Sequence, residues 1–228
     1  NDLSILRAGE SLLIDKRNWS INTCCYYSYL PKHDVHQELE PLVKILGNTL
    51  DTVFQKVIRQ ANNRPIWVPL SGGVDSRLIL CKLVEHGYKN VTCFTYGINH
   101  NHEMKRARLV AKTLDVPWLQ IPSQTRKLRN LYQSKQRKGY TDYAYGGHAV
   151  PVWLDFEAVT WLIQNNHLTK DAIIINGYSG DFIFGGHIPE KLTYDPSVET
   201  LVNSLLAKHC SHFKSNVLSK TYQTIKDN

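Results

Sequence analysis

The feature that most constrains this chain is the junction at residues 66–76. An apolar run over 66–70 meets Ser71-Gly72-Gly73-Val74-Asp75-Ser76, and a helical pattern begins inside that string. Two glycines let the backbone turn tightly and approach a ligand with no Cβ in the way. The free N–H groups and positive dipole end of the new helix then point at whatever lies beyond the strand. Ser71 and Ser76 add hydroxyls suited to phosphate oxygens. Asp75 is the odd member, because a carboxylate beside phosphates repels them unless a cation sits between; Mg2+, which takes both kinds of oxygen, resolves the conflict. The plain alternative is a glycine turn with Ser71 as an N-cap and Asp75 in the favourable first turn. The string is neither a Walker loop nor the dinucleotide G-x-G-x-x-G.

The surrounding pattern gives the string its setting. Leu39, Leu42, Val43, Leu46, Leu50, Val53, Phe54, Val57 and Ile58 recur at helical spacing, with Pro41 in the first turn and Asn62-Asn63-Arg64-Pro65 as the stop. Strands are expected at 66–70, 91–95, 118–121 and 172–176. Helices are expected at 74–86, 101–114, 123–138, 152–164 and 197–210. Strands spaced by helices predict an α/β fold, a parallel twisted sheet with helices on both faces. Ligands of such sheets sit beyond the carboxyl ends of the strands. Residues 3–31 read as short β-like pieces.

Composition bounds the function. With 42% hydrophobic and 21% charged residues among 228, the chain reads as globular rather than disordered. No stretch approaches the ~18 apolar residues of a membrane span, and no signal peptide is expected at the start. Five cysteines without a C-x-x-C pair argue against a disulfide scaffold or zinc ribbon and for a reducing cytoplasm. A net charge of +7 suits an anionic partner, whether nucleotide phosphate or nucleic acid, or nothing specific. The cations Arg126, Lys127, Arg129, Lys135, Arg137 and Lys138 read first as a solvated helix face. Trp153 and Trp161, eight apart, read as one helical face packed in the core. His100-Asn101-His102-Glu103 lacks the spacing of a metal site, and His33 and His36 read as an exposed loop.

A second glycine-rich segment follows the last expected strand: Asn176-Gly177-Tyr178-Ser179-Gly180-Asp181-Phe182-Ile183-Phe184-Gly185-Gly186-His187. It sets Asp181 at a strand's carboxyl end, where with Asp75 it could form a two-carboxylate Mg2+ site facing a bound phosphate. A loop in which Asp181 only caps the next helix is the alternative.

The first string resembles the pyrophosphate loop of the N-type ATP pyrophosphatases, which include asparagine, GMP, NAD and argininosuccinate synthetases. Both strings together resemble the synthetase domain of asparagine synthetases and β-lactam synthetases, over roughly residues 38–190. Phe94-Thr95-Tyr96-Gly97, with Glu103, Lys105, Ala107 and Val110-Ala111, resembles that family's second strand and helix. The resemblance implies an adenine nucleotide alpha hydrolase-like (HUP-type) fold and ATP with Mg2+. It implies an amide-forming ligase that adenylates a substrate carboxylate, releases pyrophosphate and transfers ammonia. It implies that Leu70, Ser71, Gly72, Gly73, Asp75, Ser76, Tyr96, Asn176 and Gly177 bind the nucleotide, and that Asp75 and Asp181 hold the metal.

The departures are also informative. Tyr178 stands where the family has a glutamate that acts on the amine or the acyl-adenylate, so Tyr178 joins Asp75 and Asp181 as a catalytic candidate. Phe182 replaces a second glutamate, and His187 a tyrosine. Tyrosine is a poor base at neutral pH, so another residue serves or the substrate differs. Aspartate or a uronic-acid sugar is the expected carboxylate. Residues 1–31 resemble the end of a glutaminase domain, making this chain a piece of a longer protein, with 32–228 as a synthetase domain that continues to a late catalytic lysine. Residue 1 is asparagine, so ammonia is expected from a glutaminase domain absent here. A homodimer is included in the expectation; membrane and nucleic-acid partners are not. A tRNA-modifying ATP pyrophosphatase and a nucleotide-binding pseudoenzyme are the alternatives.

Overall fold

The computed structural model describes residues 6–28, 38–97, 102–123, 125–146, 151–153 and 155–209. The expectations for His33, His36, His100, Asn101 and Cys210 lie outside them. The elements are β1 (Glu10–Asp15), β2 (Ser20–Cys25), α1 (Leu39–Ala61), β3 (Ile66–Pro69), α2 (Val74–Glu85), β4 (Val91–Gly97), α3 (His102–Thr113), β5 (Trp118–Pro122), α4 (Thr125–Tyr132), α5 (Lys135–Tyr145), α6 (Phe156–Gln164), β6 (Ile173–Ile174), α7 (Gly180–Ile183), α8 (Lys191–Tyr194) and α9 (Val198–His209).

The chain divides into two compact units, Asn1–Leu50 and Asp51–Asn228. The first holds an antiparallel hairpin of β1 and β2, in register from Glu10 opposite Cys25 to Asp15 opposite Ser20. The second holds a four-stranded sheet in the order β5-β4-β3-β6, with every neighbouring pair parallel. The chain steps outward from β3 through β4 to β5, then returns to place β6 on the other side of β3. That reversal leaves a crevice beyond the carboxyl ends of β3 and β6, the position where parallel sheets hold ligands.

Alternation along the strands explains why both faces are covered. Ile66, Val68, Val91 and Cys93 turn to one side and pack with Phe54 and Ala61 of α1, Leu80 and Leu83 of α2, and Ala107 and Ala111 of α3. Trp67, Phe94 and Ile121 turn to the other, where Ala158 and Leu162 of α6 meet them. These strands read as near-continuous apolar runs because both faces are buried. Cys93 is a core side chain, and burial pushes its thiol up to about 12.

Several local expectations change. The basic 123–138 segment is two helices, because Ser134 caps α5 by accepting the Arg137 N–H at 3.1 Å. The helix expected from 152 begins at Phe156, so Trp153 and Trp161 do not share a helical face. Trp153 instead joins an aromatic cluster with Tyr132, Tyr140 and Phe156, with the Arg137 guanidinium 5.1 Å from its ring centre. Strand β6 has only two residues, and the backbone beyond it turns into the second glycine-rich segment.

Leu83 is fully buried between α2 and the sheet. Leu83→Ala is expected to destabilise the protein by ~2–5 kcal/mol, read as a lowered midpoint in urea unfolding.

Candidate active site

The first loop leaves β3 under tight control. Leu70 N–H donates to the Phe94 carbonyl at 2.8 Å, and the Leu70 carbonyl accepts from Thr95 Oγ1 at 2.7 Å. Trp118 Nε1 donates in turn to Thr95 Oγ1 at 3.0 Å. Within the loop, Ser76 Oγ accepts the Ser71 N–H at 3.1 Å and lies 3.0 Å from Ser71 Oγ, which itself accepts the Gly73 N–H at 3.1 Å. The serines therefore brace the turn internally. Gly73, not Ser71, is the N-cap of α2 and has no side chain to cap it, so the first turn of that helix keeps its donors facing outward.

The second loop closes on the first. A Cβ on Gly177 would stand 2.9 Å from Asp75 Cβ and 3.1 Å from Ser76 N, and a Cβ on Gly180 would overlap the Asp75 carboxylate. Only glycine permits backbone to lie this close to another side chain. The Gly180 N–H donates to the Gly177 carbonyl at 3.0 Å, and the Gly186 N–H to the Asp181 carbonyl at 2.7 Å, winding the loop into α7.

Between the loops lies a cavity of about 300 Å³, lined by Pro69, Leu70, Ser71, Asp75, Ser76, Thr95, Tyr96, Glu103, Asp155, Asn176, Gly177, Tyr178 and Asp181. Of the residues expected from sequence to bind nucleotide, Leu70, Ser71, Asp75, Ser76, Tyr96, Asn176 and Gly177 meet here, as do Tyr178 and Asp181. Gly72 and Gly73 do not line it; they shape the turn, and Gly72 approaches Glu103 on α3. The sequence reading missed Asp155. Taking 152–164 as a continuous helix hid it, although an aspartate just before an apolar helical run is a helix-start signal. Asp155 occupies the N-cap position of α6 but makes no capping bond, leaving its carboxylate to the cavity.

Tyr96 Oη donates to Asp155 Oδ1 at 2.6 Å, and Tyr178 lines the cavity beside that pair. Burial first, and then Asp155, hold the Tyr96 phenol far above its ordinary range. Partial burial, together with Asp155, pushes Tyr178 up to about 12 despite an opposing hydrogen bond from Tyr96. Both tyrosines therefore remain protonated donors at physiological pH.

The lining carries four carboxylates, Asp75, Glu103, Asp155 and Asp181, and no lysine or arginine among the described residues. A polyphosphate entering this cavity needs a cation. Asp75 and Asp181 supply hard oxygen donors from two loops, a donor set that fits Mg2+ completed by phosphate oxygens and water. Groups of three or more histidine, cysteine, aspartate or glutamate side chains able to hold a metal do not occur among the described residues. A shared site with phosphate as co-ligand is therefore the arrangement these residues suit.

Fold and site together define an α/β protein with two glycine-rich loops at the switch point of a parallel sheet. The asparagine synthase family model matches residues 50–216, and the chain belongs to that family of ATP-using, amide-forming ligases. Among solved structures, the chain is similar to an NH3-dependent NAD synthetase from Campylobacter jejuni subsp. jejuni in complex with the nitrate ion. The likeness has a TM-score of 0.44 and 12% identity over 81% of this chain and 93% of that one. A comparison with curated proteins gives no match. No helix among the described residues is long and apolar enough to cross a membrane.

Gly180→Ala drives a methyl group into the Asp75 carboxylate. It is expected to weaken Mg·ATP binding about tenfold or more by titration calorimetry, with little change in thermal midpoint.

Proposed function

We propose that this chain adenylates a substrate carboxylate with ATP and passes ammonia to the acyl-adenylate. The observation that carries the reading is the meeting of both glycine-rich loops, through Asp75, at one cavity lined by carboxylates and phenols. A substrate carboxylate oxygen attacks the α phosphorus, and the bond to the bridging oxygen breaks. Pyrophosphate leaves toward the donors of the Ser71–Ser76 loop and the first turn of α2. Ammonia then attacks the acyl carbonyl, AMP departs, and the amide nitrogen sheds a proton. Mg2+, held by Asp75 and Asp181 when bound, offsets the charge of the leaving pyrophosphate.

Tyr178 and Asp155 take the place of the glutamate expected in the second motif. A phenol raised to about 12 does not serve as a base by itself. It accepts the proton shed by the nitrogen as it gives its own to Asp155, so the carboxylate is the final acceptor and the tyrosine the positioned relay. Tyr96, fixed to Asp155 at 2.6 Å, holds that carboxylate in place. The ammonia reaches this cavity from a glutaminase domain, of which residues 1–31 are read as the tail. Phe182, 77% exposed where a carboxylate was expected, favours a second reading as a nucleotide binder without turnover.

The two readings separate in an assay of AMP and pyrophosphate release from Mg·ATP, ammonium and a panel of carboxylates. Acceptor-dependent AMP is expected, and Asp75→Asn is expected to abolish it. Tyr178→Phe is expected to lower kcat by ~10²–10⁴-fold with ATP affinity retained, the range for losing a proton-transfer group. ADP and phosphate as products would contradict the ligase reading, and bound ATP without turnover would support the second.

A further inference from the structure

A second cavity, of about 400 Å³, adjoins the first, and the two share Asp155, Asn176 and Tyr178. Its other walls are Tyr140, Val152, Phe156, Val159 and Ile163, with Gln136 and Thr160 as the further polar members. The Tyr140 ring stacks on Phe156 with centroids 4.8 Å apart and meets Trp153 edge-on at 5.0 Å. Tyr140 Oη is already committed, donating to the Val152 carbonyl at 2.5 Å. Val152 and Ile163 are exposed, so the cavity is open to solvent on that side. Arg137, next in sequence to the lining residue Gln136, is engaged over the rings of Tyr132 and Trp153, at 4.2 and 5.1 Å, and does not line the cavity.

Asp155 is therefore the one charged side chain among the described lining residues of this second cavity. A ligand that brings a permanent negative charge into it meets a like charge and no counter-ion among the described lining residues, and like charges held close together repel. A neutral, apolar body meets aromatic and branched aliphatic surface, and a ring meets the aromatic faces in the offset geometry they favour.

We propose that the second cavity holds the body of the acceptor and that the acceptor is a monocarboxylate with an apolar, ring-bearing body. Its carboxylate passes Tyr178 to reach the α phosphate in the first cavity. The inference rests on the ligase reading above and adds a substrate class to it. It sets this chain apart from a ligase that amidates a dicarboxylate: aspartate carries a second carboxylate that no cation among the described lining residues receives. A uronic acid carries a ring of hydroxyls, whereas most of the surface the lining presents is apolar and the Tyr140 hydroxyl is already committed.

The test is ligand-detected NMR on the whole chain with Mg2+ and the non-cleavable α,β-methylene ATP. Indole-3-acetate, 3-phenylpropionate, aspartate and glucuronate serve as probes. The two ring acids are expected to give saturation transfer, and aspartate and glucuronate little or none. Val159→Trp fills the cavity and is expected to remove the ring-acid signal. Ile163→Glu lies on an exposed position that tolerates substitution, adds a second negative charge at the cavity, and is expected to weaken ring-acid binding about fivefold or more. Both variants are expected to bind the ATP analogue as the parent does. Aspartate or glucuronate binding as well as the ring acids, or ring-acid binding unchanged in both variants, would overturn the proposal. Ring-acid binding without AMP formation from any acid would instead overturn the ligase reading and leave the ligand class standing.

Discussion

The candidate site depends on the close seat of the Asp75 carboxylate against the backbone of Gly177 and Gly180. Two loops that leave different strands touch there with no side chain between them. Their approach follows from the strand order. Because β6 returns beside β3 instead of beyond β5, the carboxyl ends that carry the two glycine-rich segments become neighbours. The internal bonds of Ser71 and Ser76 fix one loop, and the turn from Gly177 to Gly180 fixes the other. The cavity is the space these two rigid turns leave.

Electrostatics then decides what the cavity can accept. Four carboxylates without a basic partner among the described lining residues form a poor site for a bare polyphosphate and a good one for a polyphosphate that brings a divalent cation. The free donors at the start of α2 favour anionic oxygens, while Asp75 and Asp181 favour the cation between. The proposed metal–nucleotide complex would meet both demands at once. Asp155 stands apart from this arrangement, bonded to Tyr96 and beside Tyr178 on the wall that leads into the more apolar second cavity.

Much of this was legible in the sequence, for physical reasons. The parallel sheet was readable because strands buried on both faces are nearly continuous apolar runs, and Ile66-Trp67-Val68 and Val91 to Phe94 are such runs. The helix expected at 101–114 is α3, where Met104, Ala107 and Ala111 are buried at helical spacing. The two loops were readable because glycine beside serine and aspartate at a strand end has few other uses. Asp155 was not, since its role arises from Tyr96 and Tyr178, 59 and 23 positions away, brought together only by folding. The break at Ser134 was masked because the flanking residues are good helix formers on either side. The second cavity was equally invisible, being made by the way α5 and α6 stack their rings.

The central claim, that Asp75 and Asp181 act from separate loops on one metal–nucleotide complex, is tested most directly with Mn2+ in place of Mg2+. Its binding in the presence of ATP can be followed by electron paramagnetic resonance in the parent chain, Asp75→Asn and Asp181→Asn. The account predicts a tight, ATP-dependent Mn2+ site in the parent that either single substitution weakens severely. Mn2+ affinity unchanged in both variants would show that the loops meet without sharing a metal, and would contradict it.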